Sequence, residues 1–160
     1  MNDEHQENEI MISNKIKQIK RFSQYFSPII SNCKIDLAEV HNNESNKCDF
    51  IREHPADNNK YMSTKTIYVE GTTYADYLIE LSKMSLPLSA MHPLDKALAN
   101  NFSIIIVEIY KKLITATNKL LTQGICHYDL KTSNIIIKKQ TNQPIIIDFG
   151  ITMVPEEIQT

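Results

Sequence analysis

Hydrophobic and polar positions divide this chain into short blocks whose periods differ. Over residues 9–26, Ile12, Ile16 and Ile19 recur at spacings of four and three, with Phe22 three further on. Lys15, Lys17 and Lys20 lie between them, the pattern of an amphipathic helix, and Pro28 ends it. Ile35-Asp36-Leu37-Ala38-Glu39-Val40 alternates as a half-buried strand does. Residues 41–60 are rich in Asn, Asp, Glu and His and predict a solvated loop. Thr66-Ile67-Tyr68-Val69 predicts a second short strand, stopped by Glu70-Gly71.

Thr73, with Asp76 three residues on, predicts a helix N-cap, and Tyr77, Leu78 and Leu81 give that helix its apolar face. Residues 82–95 carry Pro87 and Pro93 and predict a connection. A long helix follows from about Ala97 to Leu121, with Phe102, Ile105, Ile106, Ile109, Leu113 and Leu120 as its buried stripe. Gly124 sits just past its end, where a left-handed residue is expected. The β-branched runs 135–137 and 145–147, joined by a polar segment, predict a hairpin. No internal repeat is visible.

Composition narrows the picture. The 160 residues suit one domain or part of one, and 42% hydrophobic residues suffice for a core. A net charge of -2 gives no global pull toward nucleic acid or an anionic membrane. The three glycines, Gly71, Gly124 and Gly150, lie too far apart for a glycine-rich phosphate loop. Three scattered cysteines with no C-x-x-C pair argue against a zinc site and for reduced thiols. The polar start is no signal peptide, and the most apolar stretch, 104–109, is too short to span a membrane. These features predict a soluble, intracellular, cytoplasmic protein. Isoleucine (24), lysine (15) and asparagine (14) make up a third of the chain, a mark of an A/T-rich genome.

The residues that carry chemistry are His127-Tyr128-Asp129-Leu130-Lys131-Thr132-Ser133-Asn134 and Asp148-Phe149-Gly150. Asn134 stands where the predicted hairpin begins and Asp148 where it ends, so the two are expected to be neighbours. Paired oxygen ligands hold a hard cation such as Mg²⁺, with phosphates and water completing the octahedron. Lys131 can reach the same phosphate as a point charge. Asp129 remains to orient an attacking hydroxyl and accept its proton. These parts suit phosphoryl transfer, which depends on positioning and charge stabilisation. The other histidines, His5, His41, His54 and His92, sit in polar or Pro-flanked segments and read as ordinary polar residues.

The two motifs resemble the catalytic loop and D-F-G of the protein-kinase family, in that family's order. The resemblance implies an α+β, kinase-like fold: a partial small lobe followed by the start of the helical large lobe. It implies a polar tail at 1–8, a small-lobe remnant and hinge at 9–71, and the large-lobe start at 72–160. By it, Asp129 is the catalytic base and Lys131 stabilises phosphate charge. Asn134 and Asp148 bind metal, and His127, Phe149 and Gly150 are structural. The stretch Tyr68-Val69-Glu70-Gly71 and the helix after it look like a hinge, with Thr66 as gatekeeper. The Ile67 carbonyl and Val69 N–H would read adenine, and Ile136 and Ile147 would line its cavity. Glu70 is either a ribose contact or a solvated hinge residue. Glu7 or Glu9 would be the glutamate of the small-lobe helix.

The sequence departs from the family pattern in three ways. No glycine loop or strand lysine precedes residue 9. The chain ends ten residues after Gly150, before the rest of the activation segment. Tyr128 replaces the usual arginine, which predicts activity independent of loop phosphorylation. The resemblance implies Mg²⁺-ATP as cofactor, transfer to protein Ser or Thr, and a complementing kinase fragment as a possible partner. It implies neither membrane nor direct nucleic-acid binding. Its style is similar to kinases of large DNA viruses or A/T-rich protists. Two further readings stay open: a pseudokinase-like binding module, and a small atypical kinase of a tRNA-modification complex.

Overall fold

A computed structural model describes residues 3–36, 60–84 and 93–155. The chain divides into two compact units, Ile29–Thr66 on one hand and Met1–Pro28 with Ile67–Thr160 on the other. Helices and small antiparallel sheets are both present, an α and β mixture.

The first unit contains an antiparallel ribbon of β1 (Ile29–Asp36) and β2 (Lys60–Thr66). Its register runs from Ile29 opposite Thr66 to Asp36 opposite Lys60, with an irregularity between Ile29 and Ser31. Residues 31–34 and 63–66 are exposed. Over these eight residues the ladder, rather than a buried face, defines the strands. This is why strands were expected further along, at 35–40 and 66–69: without a buried face there is no apolar alternation to read. Residues 37–40 and most of the expected loop at 41–60 lie outside the described residues, and Lys60 belongs to β2.

The second unit opens with α1 (Asp3–Lys17). This helix starts six residues before the expected 9 and ends earlier than 26. What reads as a polar tail is therefore helical from Asp3 on. Its end tightens into i→i+3 bonds, Gln18 N–H to Lys15 O (3.1 Å) and Ile19 N–H to Ile16 O (3.0 Å). Arg21 then takes a left-handed backbone, φ 61°, before a 3-10 turn at Phe22–Gln24. The apolar spacing runs on across this break because Ile12, Ile16, Ile19 and Phe26 all enter one core.

The rest of the unit is β3 (Gly71–Thr73), α2 (Tyr74–Met84), α3 (Pro93–Leu121), β4 (Ile135–Lys138) and β5 (Pro144–Ile146). The expected cap is formed: Thr73 Oγ1 accepts the Asp76 N–H at 3.1 Å and donates to the Asp76 carboxylate at 2.6 Å. The helix α3 starts at Pro93 rather than near Ala97, since proline fits the first helical position, where its missing N–H costs nothing. Gly124 takes the left-handed conformation expected of it, φ 67°. The isoleucine hairpin forms, with Ile135 opposite Ile146 and Ile136 opposite Ile145, but its second strand begins at Pro144, one residue before the expected run 145–147, and leaves Ile147 outside. The sheet order is β3-β4-β5, all antiparallel. Phe26 bridges β5 alongside Ile146 through Ser27 N–H to Ile146 O (3.0 Å) and Ile146 N–H to Tyr25 O (2.8 Å). Ile109, Leu113, Ala116 and Leu120 of α3 close the core over Ile135, Ile137 and Ile146. A second stripe on α3, Ile104, Val107, Tyr110, Ile114 and Leu121, is exposed. No helix among the described residues is long and apolar enough to cross a membrane.

At Gly71 the sheet tolerates no side chain. A Cβ there would overlap the Ile137 carbonyl oxygen and press on the Ile136 side chain. Gly71→Ala is expected to cost roughly 2 kcal/mol, because backbone rather than a side-chain end must move. Gly124→Ala, where the space is open but φ is positive, should cost roughly 1 kcal/mol. Denaturant midpoints of the two variants test this order.

Burial raises the pKa of Tyr74, and burial followed by the neighbouring Tyr74 and Glu80 raises that of Tyr77. A raised folded-state pKa gives stability that is complete below the unfolded value, about pH 10, and lost as pH rises through the folded one. Thermal melts should hold through mildly alkaline pH and then fall. The double variant Tyr74→Phe/Tyr77→Phe should fall less steeply above about pH 10.

Candidate active site

Both motifs flank the hairpin. The loop after Gly124 is fastened by Cys126 and Met153, which exchange N–H···O bonds of 2.9 Å in each direction. Tyr128 has φ 56°, and around it the Asp129 N–H closes a tight i→i+2 turn onto His127 O at 2.8 Å. Asp148 has φ 62°. Such conformations are strained for residues with a Cβ and persist only where the surroundings impose them. One falls in each motif.

The surroundings that impose them are visible. His127 is buried, and its Nε2 lies 3.1 Å from Ile147 O. A carbonyl only accepts, so Nε2 donates, and Nδ1 is buried with no hydrogen-bond partner among the described residues. The imidazole lies 5.1 Å from the Phe149 ring, and Phe149 meets Phe26 edge-on at 6.3 Å. His127 thus joins the loop to the strand end as a brace. Thr152, fully buried, donates from Oγ1 to His127 O at 3.5 Å, and its own carbonyl accepts Asn8 Nδ2 of α1 at 3.0 Å. Nothing in the sequence pattern signals the roles of Thr152 and Asn8, which lie 144 positions apart.

Asp129, Lys131 and Asn134 form one network. Asp129 Oδ2 accepts Lys131 Nζ at 2.7 Å and Asn134 Nδ2 at 3.0 Å, and Asn134 Nδ2 also reaches Asp129 O at 3.0 Å. Asn134 is buried in the turn Thr132–Asn134, and its carbonyl accepts the Ile147 N–H at 3.0 Å. That bond brings the outer ends of the hairpin side by side. With its amide nitrogen committed to Asp129, Asn134 has Oδ1 left for a hard cation. Asp148 is exposed, and its Oδ1 accepts the Gly150 N–H at 3.4 Å. Among the described residues no group of three or more His, Cys, Asp and Glu side chains gathers as a metal cage. A two-ligand donor set suits Mg²⁺ shared with phosphates and water.

The hydrogen bond from Lys131 holds the Asp129 carboxyl below the usual carboxylate range, with the Lys131 charge and the Asn134 amide adding to it against some desolvation. Asp129 in turn raises Lys131, with a further contribution from Asp148. The pair is therefore charged across neutral pH, and its contribution is lost as pH falls through the lowered Asp129 value or rises through the raised Lys131 value.

Glu9 separates from Glu7 in the structure. Glu9 is half-buried, and its pKa is raised first by burial and then by the negative charge of Asp148. Glu7 is exposed. Residues two apart on a helix point to nearly opposite sides, so only one of them faces the D-F-G.

Ile67 and Val69 lie in the irregular segment between β2 and β3, both half-buried. The Ile67 carbonyl accepts the Ser27 hydroxyl at 2.8 Å, which leaves one lone pair. Ile136 is half-buried, opposite in facing to buried Ile135 and Ile137, and Ile147 is half-buried beside it in sequence to Asp148. A cavity of about 630 Å³ is lined by Ile67 and Val69 but not by Ile136, Ile147 or any charged motif residue. The four apolar positions are therefore not gathered round that cavity.

No family model matches the sequence. Over 117 residues, 71% of this chain, it is 28% identical to homeodomain-interacting protein kinase 1 of Caenorhabditis elegans. The match covers 12% of that relative, so the chain corresponds to a small part of its length. The chain is thus distantly similar to a protein kinase.

Proposed function

We propose that this chain transfers the γ-phosphate of Mg²⁺-ATP to a serine or threonine hydroxyl of a protein. The observation that carries the reading is the joined network of Asp129, Lys131 and Asn134, with Asp148 at the other end of the same hairpin. In this reading the substrate oxygen attacks the γ-phosphorus as the bond to the ADP oxygen breaks. Asp129 orients the hydroxyl and takes its proton. Lys131 leaves its ion pair with Asp129 to meet the charge on the transferred group. Asn134 Oδ1 and Asp148 hold the metal. The segment 9–71 serves as small-lobe remnant and hinge, and 72–160 as the large-lobe start. Ile67 O and Val69 N–H meet the adenine edge, with Ile136 and Ile147 beneath the base. Glu9 is the small-lobe helix glutamate. A complementing kinase piece is the partner this reading calls for, and the site would work inside the cell, where Mg²⁺-ATP is plentiful.

Titration calorimetry with ATP, with and without Mg²⁺, tests the reading. Affinity should depend on Mg²⁺, and Asp148→Ala should lose on the order of tenfold or more of that gain. ATP affinity that ignores both Mg²⁺ and Asp148→Ala would overturn it. Mg²⁺-dependent binding without transfer would instead favour the nucleotide-binding module.

A further inference from the structure

The cavity of about 630 Å³ is built from residues that the phosphoryl-transfer reading leaves mostly unused. Its apolar lining includes Tyr25, Phe26, Ile67, Tyr68 and Val69. Tyr68 is 88% exposed, the most exposed of the large hydrophobic side chains among the described residues. Displaying an aromatic ring to water beside an apolar cleft is unfavourable for a chain on its own and typical of a surface that meets a partner.

Three cations stand at the same cleft: Lys112 of α3, and Lys138 and Lys139 where β4 turns toward β5. Lys112 is held in place, donating to Thr141 O and Asn142 O at 3.3 Å each. Those acceptors are neutral carbonyls, so its charge is positioned but not cancelled. Among the described residues, Lys111 pairs with Glu108 and Lys131 with Asp129, and none of the three cleft lysines is in an ion pair. Glu70 is the one carboxylate in the lining. The cleft is therefore locally basic on a chain whose net charge is -2.

We infer that this cleft is a docking site for an acidic peptide segment of a partner protein, with an aliphatic or aromatic anchor flanked by carboxylates. The anchor enters between Tyr25, Val69 and the Tyr68 ring, and the carboxylates meet Lys112, Lys138 and Lys139. Charge complementarity chooses the occupant. A nucleic acid would need an extended basic face, whereas here the charge is confined to one apolar-floored cleft on an acidic chain. Asp129, Asn134 and Asp148 do not line the cleft, and the phosphoryl-transfer reading takes only backbone groups of the lining residues Ile67 and Val69, so failure of the peptide to bind would leave that reading untouched.

The test is fluorescence anisotropy on the whole chain, with a short fluorescein-labelled peptide in which glutamates flank a Leu-Tyr pair. Binding should weaken with added salt. Lys138→Glu/Lys139→Glu should weaken it roughly tenfold, as expected for two rim ion pairs lost and reversed, and Tyr68→Ala should weaken it severalfold. Lys138→Arg/Lys139→Arg should bind as the unaltered chain does, and melting temperatures of all variants should agree within a few degrees. The inference fails if the peptide does not bind below about millimolar, a range weaker than typical docking. It also fails if a lysine-for-glutamate version of the peptide binds as well, or if the charge-reversed variant retains affinity. Tighter binding by single-stranded DNA of equal charge would overturn it in favour of a nucleic-acid surface.

Discussion

Asp129→Asn is expected to lower phosphotransfer about a thousandfold, within the span that positioned acid–base groups contribute, while nucleotide affinity stays nearly unchanged. Asparagine has the same shape, but it cannot take a proton, and it offers an NH₂ where Asp129 Oδ2 now accepts two donors. Lys131 Nζ at 2.7 Å and Asn134 Nδ2 at 3.0 Å both converge on that oxygen. With its oxygen at that point the amide accepts both donors without the carboxylate's charge, and with its NH₂ there it opposes both. Folding should barely notice, because the Asp129 and Lys131 side chains are 30% and 56% exposed and surface pairs contribute little. Radiolabel transfer from ATP to a generic protein substrate measures the rate, and a melting curve supplies the folding control. An undiminished rate would remove Asp129 from the mechanism.

Phe149→Ala should have the largest effect on stability. The ring is 1% exposed, packs against Phe26 and His127, and shares the core with Ile12 and Ile16 of α1. Truncating such a ring removes transfer energy and leaves a cavity, roughly 3–5 kcal/mol together. Whole domains are stable by only about 5–15 kcal/mol, so the melting temperature should fall by about 10 °C. The consequence reaches the site, because the left-handed backbone of Asp148 persists only while its surroundings hold it. Phe149→Leu should recover most of the loss. Differential scanning calorimetry of both variants decides it, and a shift of less than about 2 °C for the alanine variant would mean the ring is not a core residue.

Some elements were legible because their signals are local. The two isoleucine triplets reported a hairpin, since β-branched runs around a polar turn have few other uses. Thr73 and Asp76 reported a cap, and Gly124 a helix end, because each acts on backbone groups within one turn. The ribbon of β1 and β2 was misplaced because residues 31–34 and 63–66, its paired middle, are all exposed and show no apolar alternation. The start of α1 was missed because its first turns are all polar and carry no apolar period to read. Glu7 and Glu9 were indistinguishable because the helical phase that separates them depends on which side of α1 meets the core.

The chain by itself determined the order of its chemistry: Asp129, Lys131 and Asn134 ahead of a hairpin, and Asp148 behind it. Residues a few positions apart meet through turns, so their spacing already implies their contact. The tertiary structure alone decided the rest. It placed Glu9 near Asp148, tied Asn8 to Thr152, spent one lone pair of the Ile67 carbonyl on Ser27, and set three lysines beside Tyr68 in one cleft. These pairings join residues far apart along the chain. No local propensity encodes them, because they exist only when burial of the shared core outweighs the entropy of bringing distant segments together.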